Sequence, residues 1–356
     1  MKKEIKKPKV VIGMSGGVDS SVTAVLLKKA GFDVVGVMAK FWKDPVINTG
    51  QVPENRCCSV ESEKLARLVA KQIDIPFYVV NLEKEFKKKV VDNFLKEYKS
   101  GDTPNPCVVC NKEIKFGLLM EKALKMGGNF IATGHYVRIK DGKLFKGKDN
   151  EKDQSYFLWQ LNQKQLGKIL FPVGGYTKSE VRKLAKKFNL PTAETPESQE
   201  VCFVNNTAND FLRKYLKTKP GKIVSVDGKL MGKHQGLWFY TIGQRRGLEI
   251  PQGPWYVIDK DFRKNILIVS KNEKDLFKKE LIAKDVNWIL GNQPKFPLNA
   301  EVKIRYKSNF VKAKILNYKK GKLKVIFQKP QKAITPGQSV VFYKKDELLG
   351  GGIIDF

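Results

Sequence analysis

Two short stretches of this sequence carry residue types that can do chemistry, and the first is TPNPCVVCNKEIKF. In it, Cys107 and Cys110 stand three residues apart in a turn that leads into a charged, helix-like run. A thiolate is both a nucleophile and a metal ligand, and a helix N-terminus or nearby lysines such as Lys112 and Lys115 stabilise it. The pair therefore indicates metal binding, redox chemistry or sulfur chemistry, and the spacing alone also leaves a structural role open.

The second stretch, VVIGMSGGVDSSV, predicts a phosphate loop between a strand and a helix. Glycines let backbone N–H groups converge on an anion, and the helix N-terminus adds partial positive charge. Asp19 is placed to hold Mg²⁺ that bridges the phosphates. The loop is neither a Walker A motif nor G-x-G-x-x-G. An ordinary tight turn is the alternative, but the run Ser-Gly-Gly-x-Asp-Ser favours phosphate binding.

The remaining cysteines and the two histidines are ambiguous. Cys202 lies far along the chain in SQEVCFV, and Cys57 and Cys58 are adjacent, a spacing at which two thiolates rarely bind one tetrahedral ion. Five cysteines in a long chain without a secretory signal do not suggest a disulfide framework. His135, in ATGHY, fits an active-site or a structural role equally, and His234 fits a structural role or an RNA contact.

Composition indicates a soluble protein with an anionic partner. The 356 residues are 42% hydrophobic, enough for two or three domains. No apolar run approaches the ~18 residues of a membrane span, and the N-terminus does not resemble a secretory signal, so we expect a cytoplasmic protein that does not bind membranes. The net charge of +31 favours nucleic acid, although scattered lysines from compositional bias would give the same number.

Alternating strand and helix patterns predict which elements position the phosphate loop. Lys9–Met14 is a continuous apolar run, typical of a strand buried on both faces, and a helix through Val22–Ala30 follows and ends at Gly31. Similar patterns predict a helix around Leu65–Ile73 and strands at Val34–Met38, Phe77–Val80 and Phe130–Thr133. This order predicts an α/β fold with a doubly wound parallel sheet.

From about Phe211 onward, short segments separated by Gly, Pro and Asp-Gly predict hairpins of a small β-domain or barrel. One of them, GLWFYTIGQRRGL, offers Arg245 and Arg246 to RNA phosphates, and its Trp238 and Tyr240 would either stack on bases or fill a β-core.

The phosphate loop resembles that of the N-type ATP pyrophosphatases, which adenylate a substrate oxygen and release pyrophosphate. Over nearly its whole length the chain resembles the bacterial tRNA-specific 2-thiouridylases (the MnmA/TrmU family). The motifs that carry this resemblance, in family order, are GMSGGVDSSV, TPNPxxxCNKEIKF, ATGHYVR, KDQSYFLWQL, FPVGGYTKSEVRKLA, SQEVCFV, GLWFYTIGQRRGL and KIRYK.

The resemblance implies an architecture and an activity. It implies a catalytic domain at residues 1–208, a small β-rich central domain at 209–276 and a tRNA-contacting β-barrel at 277–356. The implied reaction is 2-thiolation of the wobble uridine of tRNA, in which ATP adenylates O2 and sulfur then replaces it. The implied partners are tRNA, a protein that donates persulfide sulfur and a thiol reductant.

The resemblance also implies roles for particular residues. Cys110 corresponds to the nucleophile and Cys202 to the persulfide-carrying cysteine, and Asn105, Pro106 and Cys107 correspond to positions that meet the target base. The implied ATP-binding residues are Gly13, Met14, Ser15, Gly16, Gly17, Val18, Asp19, Ser20, Ala39 and Gly134. The implied tRNA-binding residues are Lys152, Asp153, Gln154, Arg305 and Tyr306. Ala39 departs from the methionine usual in the family.

A second departure leaves two mechanisms open. Many family members carry aspartate where this chain has Cys107. With Cys110 and Cys202 it makes three thiolates, the number that would hold a 4Fe–4S cluster with one open iron. Sulfur could then come either from a persulfide on Cys202, leaving a Cys110–Cys202 disulfide, or from sulfide on such a cluster.

Two other functions compete with this interpretation. Another ATP pyrophosphatase, such as an amide-forming synthetase, would use the phosphate loop without the cysteines. A non-enzymatic RNA-binding protein with a structural metal would use the charge and the cysteines without the phosphate loop.

Overall fold

A computed structural model describes residues 7–45, 59–196, 201–204 and 207–355, and over these ranges the chain forms a parallel sheet, a mixed four-stranded sheet and a barrel. The strands are β1 Lys9–Gly13, β2 Asp33–Lys40, β3 Phe77–Asn81, β4 Phe130–Ala132, β5 Val137–Lys140, β6 Lys143–Lys146, β7 Ile169–Leu170, β8 Gly221–Ser225, β9 Leu230–His234, β10 Tyr256–Asp261, β11 Ile266–Ser270, β12 Phe277–Trp288, β13 Leu298–Lys303, β14 Val311–Asn317, β15 Leu323–Lys332, β16 Ser339–Lys344 and β17 Glu347–Asp355. The α-helices are α1 Val18–Lys29, α2 Val60–Gln72, α3 Glu83–Phe86, α4 Asp92–Ser100, α5 Pro106–Val109, α6 Met120–Lys125, α7 Gln163–Leu166, α8 Lys178–Lys187 and α9 Ala208–Tyr215. No helix within these ranges is both long and apolar enough to cross a bilayer.

The N-terminal sheet forms from the continuous apolar runs of the sequence. Its strand order is β3-β2-β1-β4-β7, and all neighbouring pairs are parallel. Val10, Val11 and Ile12 of the central strand are each at most 1% exposed, as expected for a strand covered on both faces. The α/β fold and the strands predicted from sequence are confirmed.

The order of these strands opens a crevice beside β1. The chain proceeds from β1 to β2 and β3 on one side and then places β4 and β7 on the other. Where the direction of winding reverses, the loops after neighbouring strands diverge and leave a space at the carboxyl edge of the sheet. The segments Met14–Gly17 after β1 and Thr133–Tyr136 after β4 both lie at this edge.

The helix that carries the cysteine pair begins earlier than the sequence pattern indicated. Pro106 is its first residue, a position at which a missing N–H costs nothing, and α5 continues as a π-helix over Cys110–Leu119 and then as α6. Cys107 therefore lies in the first turn, as predicted, whereas Cys110 already lies one turn further in. Segments of π-helix are rare and frequently occur at functional sites.

The C-terminal part is a closed barrel of six antiparallel strands. The strand order is β12-β15-β14-β13-β16-β17, and β12 pairs with β17 to close it. The hairpin β5–β6 from the N-terminal part extends the same sheet by pairing with β17, where Leu144 lies opposite Leu348. The catalytic part and the barrel thus share one sheet.

The smaller sheet, β10-β11-β8-β9, contains the central β-rich segments. The segment GLWFYTIGQRRGL was expected to form a hairpin strand, and this expectation is wrong: it forms a 3₁₀ turn at Leu237–Phe239 and then irregular structure up to β10. The reason is that Leu237, Phe239 and Tyr240 are all buried, a pattern that does not alternate as a half-buried strand requires.

The segment that precedes the cysteine pair is held by all three parts of the fold. We call Gly101–Pro104 the strap. The Thr103 N–H donates to Pro336 O at 2.8 Å, and Gln338 Nε2 of the barrel side donates to Thr103 O at 2.9 Å. Lys260 Nζ of the central sheet donates to Gly101 O at 2.6 Å. The position of the cysteine helix is therefore fixed from outside its own domain.

We predict that Gly337→Ala loosens this junction. Gly337 has φ +86°, and a Cβ there would lie 2.7 Å from Asp102 Cβ and 2.9 Å from Thr103 N. Gly321 in the same barrel has φ +73° with open space around it, so Gly321→Ala isolates the cost of the left-handed backbone, about 1–2 kcal/mol. The urea midpoint of Gly337→Ala should fall further than that of Gly321→Ala, and equal shifts would show that the strap yields without cost.

Candidate active site

The turn between β1 and α1 presents backbone N–H groups to the crevice. Gly16 has φ +76°, and a Cβ there would collide with the backbone of Ser62, so the turn needs glycine. Gly17 is the N-cap of α1 and brings no side chain to cap the helix. Ser20 Oγ accepts from the Ser15 N–H at 3.2 Å and donates to Gly17 O at 3.0 Å, which fixes the curve of the loop. This is the geometry of an anion site at a helix N-terminus.

Two adjoining cavities lie at the carboxyl edge of the sheet. The smaller, about 230 Å³, is lined by Gly13, Met14, Ser15, Asp19, Ser20, Val37, Met38, Ala39, Phe41, Lys115, Leu119, Thr133, Gly134, His135 and Gln154. The larger, about 760 Å³, is lined by Ser15–Asp19 together with Pro104–Cys107, Glu151, Lys152, Gln154, Lys178, Val201, Tyr306 and Gln338, among others. All the predicted ATP-binding residues line one cavity or the other.

The smaller cavity suits a nucleoside. Its walls combine the ends of β1, β2 and β4 with apolar residues such as Phe41 and Leu119. Predominantly apolar walls with a few polar groups are typical of small-molecule sites. Gly134 allows the β4 loop to approach α1, because a Cβ there would lie 2.9 Å from both Asp19 C and Ser20 N.

Asp19, the acidic residue of the loop, is held by two side chains that the sequence analysis did not single out. Lys178 Nζ lies 2.8 Å from each of its carboxylate oxygens, and the Tyr136 hydroxyl donates to Oδ1 at 2.7 Å. Lys178 comes from α8 and Tyr136 from the loop after β4. Three elements therefore meet at one carboxylate.

His135 is buried at the edge of the smaller cavity. Its Nδ1 lies 2.7 Å from Thr133 Oγ1, and its ring packs against Phe116 and Phe171. Burial, with a smaller effect from the charge of Lys115, holds the pKa of His135 well below its usual 6.5. The imidazole is therefore neutral at physiological pH.

The three cysteines occupy different environments. Cys107 is exposed and lines the larger cavity, whereas Cys110 is buried in the main hydrophobic cluster of the protein. Cys202 is half-buried and packs against that same cluster, and its neighbour Val201 lines the larger cavity. Cys57 and Cys58 lie outside the described residues.

The positions of the cysteines bear on metal ligation. Among the residues that the structure describes, no three His, Cys, Asp or Glu side chains come together in a way that could hold a metal ion. The expected trio Cys107, Cys110 and Cys202 therefore does not fit a 4Fe–4S cluster as placed, because Cys107 faces the cavity while Cys110 faces the core. A single carboxylate does fit Mg²⁺ in the presence of nucleotide, since phosphate oxygens commonly supply the other ligands.

The residues expected to contact tRNA do not all face the cavity. Lys152, Gln154 and Tyr306 line it, as do Asn105 and Pro106 next to Cys107.

Asp153 is buried instead, and its carboxylate accepts from the Gly147 N–H at 3.0 Å and from Ser155 Oγ at 2.8 Å. Arg305 is half-buried and donates to Ala333 O and, at 2.9 Å, to Thr335 Oγ1. These contacts give Asp153 and Arg305 structural roles within the protein.

The other candidates from the sequence also divide into buried and exposed residues. His234 is 1% exposed, and its Nε2 lies 3.2 Å from Asn265 O. Tyr240 is also buried, so both residues have structural roles. Arg245 and Arg246 are exposed. Trp238 packs against the main hydrophobic cluster.

Sequence reasoning missed Tyr136, Lys178 and Lys115 as cavity residues. Each lies inside a motif that was noticed, ATGHYVR, FPVGGYTKSEVRKLA and CNKEIKF. Lys178 could have been noticed from its position directly after Thr177. Thr177 forms a capping box with Glu180, which marks Lys178 as the first residue of α8.

We predict that Gly134→Ala weakens ATP binding. The added methyl group must displace the backbone at Asp19 and Ser20, which belong to the predicted phosphate loop. We expect the Kd for ATP to rise at least ~10-fold, about 1.4 kcal/mol. Gly175→Ala is the matched control, because nothing lies within 4 Å of its Cβ position. Equal Kd values for the two variants would contradict a close approach at Gly134.

The neutral state of His135 predicts a pH dependence of stability. Below pH 6.5 the unfolded chain binds a proton that the native imidazole does not, so the free energy of unfolding falls as the pH drops, by up to ~1.4 kcal/mol per pH unit for one group. His135→Asn should reduce this slope in urea titrations between pH 7.5 and 5.5. The other histidine, His234, is present in both proteins and its titration cancels. Identical slopes would contradict the prediction.

Comparison with known proteins places these observations in a family. Models of three domain families match consecutive parts of the chain: the tRNA methyl transferase HUP domain at residues 8–206, the tRNA methyl transferase PRC-barrel domain at 209–271 and the aminomethyltransferase beta-barrel domain at 278–354. A crystal structure of a 4-thiouridine synthetase–RNA complex with bound ATP is similar at 18% identity and a TM-score of 0.34, over 55% of this chain and 45% of that one, a likeness too distant to bear on ligands.

The curated relatives are much more similar. The tRNA-specific 2-thiouridylase MnmA of Carboxydothermus hydrogenoformans is 47% identical over 99% of this chain and 98% of its own length. That of Geobacillus thermodenitrificans is 44% identical over 100% of this chain and 96% of its own. The chain belongs to the tRNA-specific 2-thiouridylase (MnmA) family.

Proposed function

We propose that this protein catalyses the ATP-dependent 2-thiolation of the wobble uridine of tRNA. The observation that carries the proposal is that Ser15, Asp19 and Gln154 line both cavities. A nucleotide whose base lies in the smaller cavity would extend its phosphates past the loop into the larger one. The larger cavity also contains Cys107 and the residue next to Cys202, so an activated base and a sulfur donor would meet there.

In the first step, O2 of the uridine attacks the α-phosphorus of ATP. The bond from that phosphorus to the oxygen that bridges to the β-phosphate breaks, and pyrophosphate leaves with the electron pair. The backbone N–H groups at the start of α1 bind the phosphates, and Mg²⁺ held by Asp19 would neutralise their charge. The O2 atom is thereby converted into part of a good leaving group, AMP.

In the second step, the terminal sulfur of a persulfide on Cys202 attacks C2 and AMP departs. The thiolate of Cys110 then attacks Cys202 Sγ and breaks the bond to the transferred sulfur, which stays on C2 as the thiocarbonyl. The two cysteines are left as a disulfide, which a dithiol reductant must reduce, and a sulfur carrier protein must reload Cys202. The half-buried position of Cys202 beside the cluster that contains Cys110 supports this pairing.

The surroundings of the cysteines favour the persulfide route over a cluster, because Cys107 faces the larger cavity whereas Cys110 is buried in the core.

The descriptions of the first two matching domain models name methyl transfer. However, a phosphate loop with a metal-binding carboxylate beside a thiol-lined cavity is what adenylation followed by sulfur transfer requires. An amide-forming synthetase would leave Cys110 and Cys202 without a role.

We predict different outcomes for the cysteines. Cys110→Ala and Cys202→Ala should abolish thiouridine formation while tRNA-dependent release of pyrophosphate persists, because adenylation needs no thiol. Cys107→Ala and Cys107→Asp should keep substantial activity in protein that contains no iron. Cys57→Ala and Cys58→Ala serve as controls and should be active. The measurements are thiouridine by mass spectrometry of digested tRNA, release of pyrophosphate and of AMP, and iron content after anaerobic purification.

Two results would count against these assignments. Joint loss of iron and activity in Cys107→Ala would establish the cluster instead of the persulfide. Full activity of Cys202→Ala would overturn both sulfur mechanisms, and AMP release that does not depend on tRNA would argue for another ATP pyrophosphatase activity.

A further inference from the structure

The ion pair between Lys178 and Asp19 lies at the centre of the phosphate site. The ammonium contacts both carboxylate oxygens at 2.8 Å, and the lysine side chain is only 11% exposed. Lys178 also lines the larger cavity together with Gly16 and Gly17. One buried cation thus touches the loop's carboxylate and borders the space that the phosphates would enter.

The backbone of Lys178 is held in place while its side chain spans the gap. Its N–H donates to Asp149 Oδ2 at 2.8 Å, and the preceding Thr177 caps α8 through its hydroxyl. The first turn of α8 is therefore held at Asp149, and the ammonium can change partners by rotation of the lysine side chain alone. A lysine suits this because its charge is compact and its four-carbon stem is flexible.

Two cations cannot share Asp19 without repulsion. In the absence of nucleotide, the ammonium balances the carboxylate, which would otherwise be a partly buried unpaired charge at considerable cost. When Mg²⁺ arrives with ATP it needs the same oxygens. At that moment two further negative phosphate groups enter the cavity beside Lys178.

We propose that Lys178 exchanges partners: it holds Asp19 while the site lacks nucleotide and moves onto the β- and γ-phosphates when Mg²⁺·ATP binds. This rests on the proposed adenylation. As the α-phosphorus bond to the bridging oxygen breaks, the electron pair and the negative charge pass to pyrophosphate, which the ammonium stabilises. After pyrophosphate leaves, Lys178 returns to Asp19 and the loop is again neutral.

The test compares Lys178→Met with the wild-type protein in three binding measurements that need neither tRNA nor sulfur. Mn²⁺ alone, followed by its paramagnetic resonance signal, should bind at least ~10-fold more tightly to the variant, because the competing cation is gone. A non-hydrolysable α,β-methylene analogue of ATP with Mg²⁺ should bind at least ~10-fold more weakly. AMP, which lacks the β- and γ-phosphates, should bind within about twofold of wild type.

Lys148→Met is the matched control. Lys148 forms an ion pair with Glu180 of the same helix at 2.8 Å and is half exposed, but it does not line either cavity. All three affinities should be unchanged in this variant. Lys178→Arg, which keeps the charge, should restore most of the affinity for the triphosphate.

The outcomes separate this inference from the function on which it rests. Unchanged affinity of Lys178→Met for Mn²⁺ and for the triphosphate analogue would overturn the exchange. If the variant lost as much affinity for AMP as for the triphosphate analogue, the Lys178–Asp19 ion pair would have only a structural role, which would also overturn it. If thiolation assays fail while these binding results hold, the proposed reaction is wrong and the exchange stands. Failure of the wild-type protein to bind the triphosphate would overturn both.

Discussion

The site depends first on where the parallel sheet changes its direction of winding. Because β2 and β4 lie on opposite sides of β1, the loops after β1 and β4 diverge at the carboxyl edge, and the crevice between them exists before any side chain is specified. The glycines of the β1 loop and Gly134 of the β4 loop then set how closely the two loops approach. The contact between Tyr136 of the β4 loop and Asp19 at the start of α1 takes its geometry from that one topological fact.

A second constraint is that the cysteine-bearing helix does not belong to one domain alone. The strap before it accepts hydrogen bonds from Lys260 of the central sheet and from Gln338 near the barrel. Burial lowers the pKa of Lys260 to about 8, so at neutral pH it remains mainly protonated and bonded to two carbonyl oxygens. The β-rich parts therefore have a mechanical role in the site in addition to any contact with RNA, because they determine where Cys107 meets the cavity.

Local patterns predicted the sheet, the turn after β1 and a helix beside the cysteine pair, because each is specified by residues adjacent in sequence. They did not predict that this helix already begins at Pro106. What they could not predict are contacts between distant segments. Lys178 and Asp19 are 159 residues apart, and only the completed fold brings α8 against the loop. Asp153 is polar and lies in a motif for which the family resemblance implies tRNA contact. Its carboxylate nevertheless accepts hydrogen bonds from Gly147 and Ser155 inside the protein. The segment at Leu237–Tyr240 has the composition of a strand, but Leu237, Phe239 and Tyr240 are all buried without alternation, and the chain forms a 3₁₀ turn there.

The pairing of the β5–β6 hairpin with β17 ties the middle of the chain to its end. Lys143 and Glu347, which form an ion pair across this junction, are 204 residues apart. During synthesis the edge of the hairpin stays unpaired until β17 has emerged, and the same strand also closes the barrel against β12. Nascent chains are exposed to aggregation while such edges are unpaired. Loss of β17 would remove both pairings at once, so a single strand completes two parts of the fold.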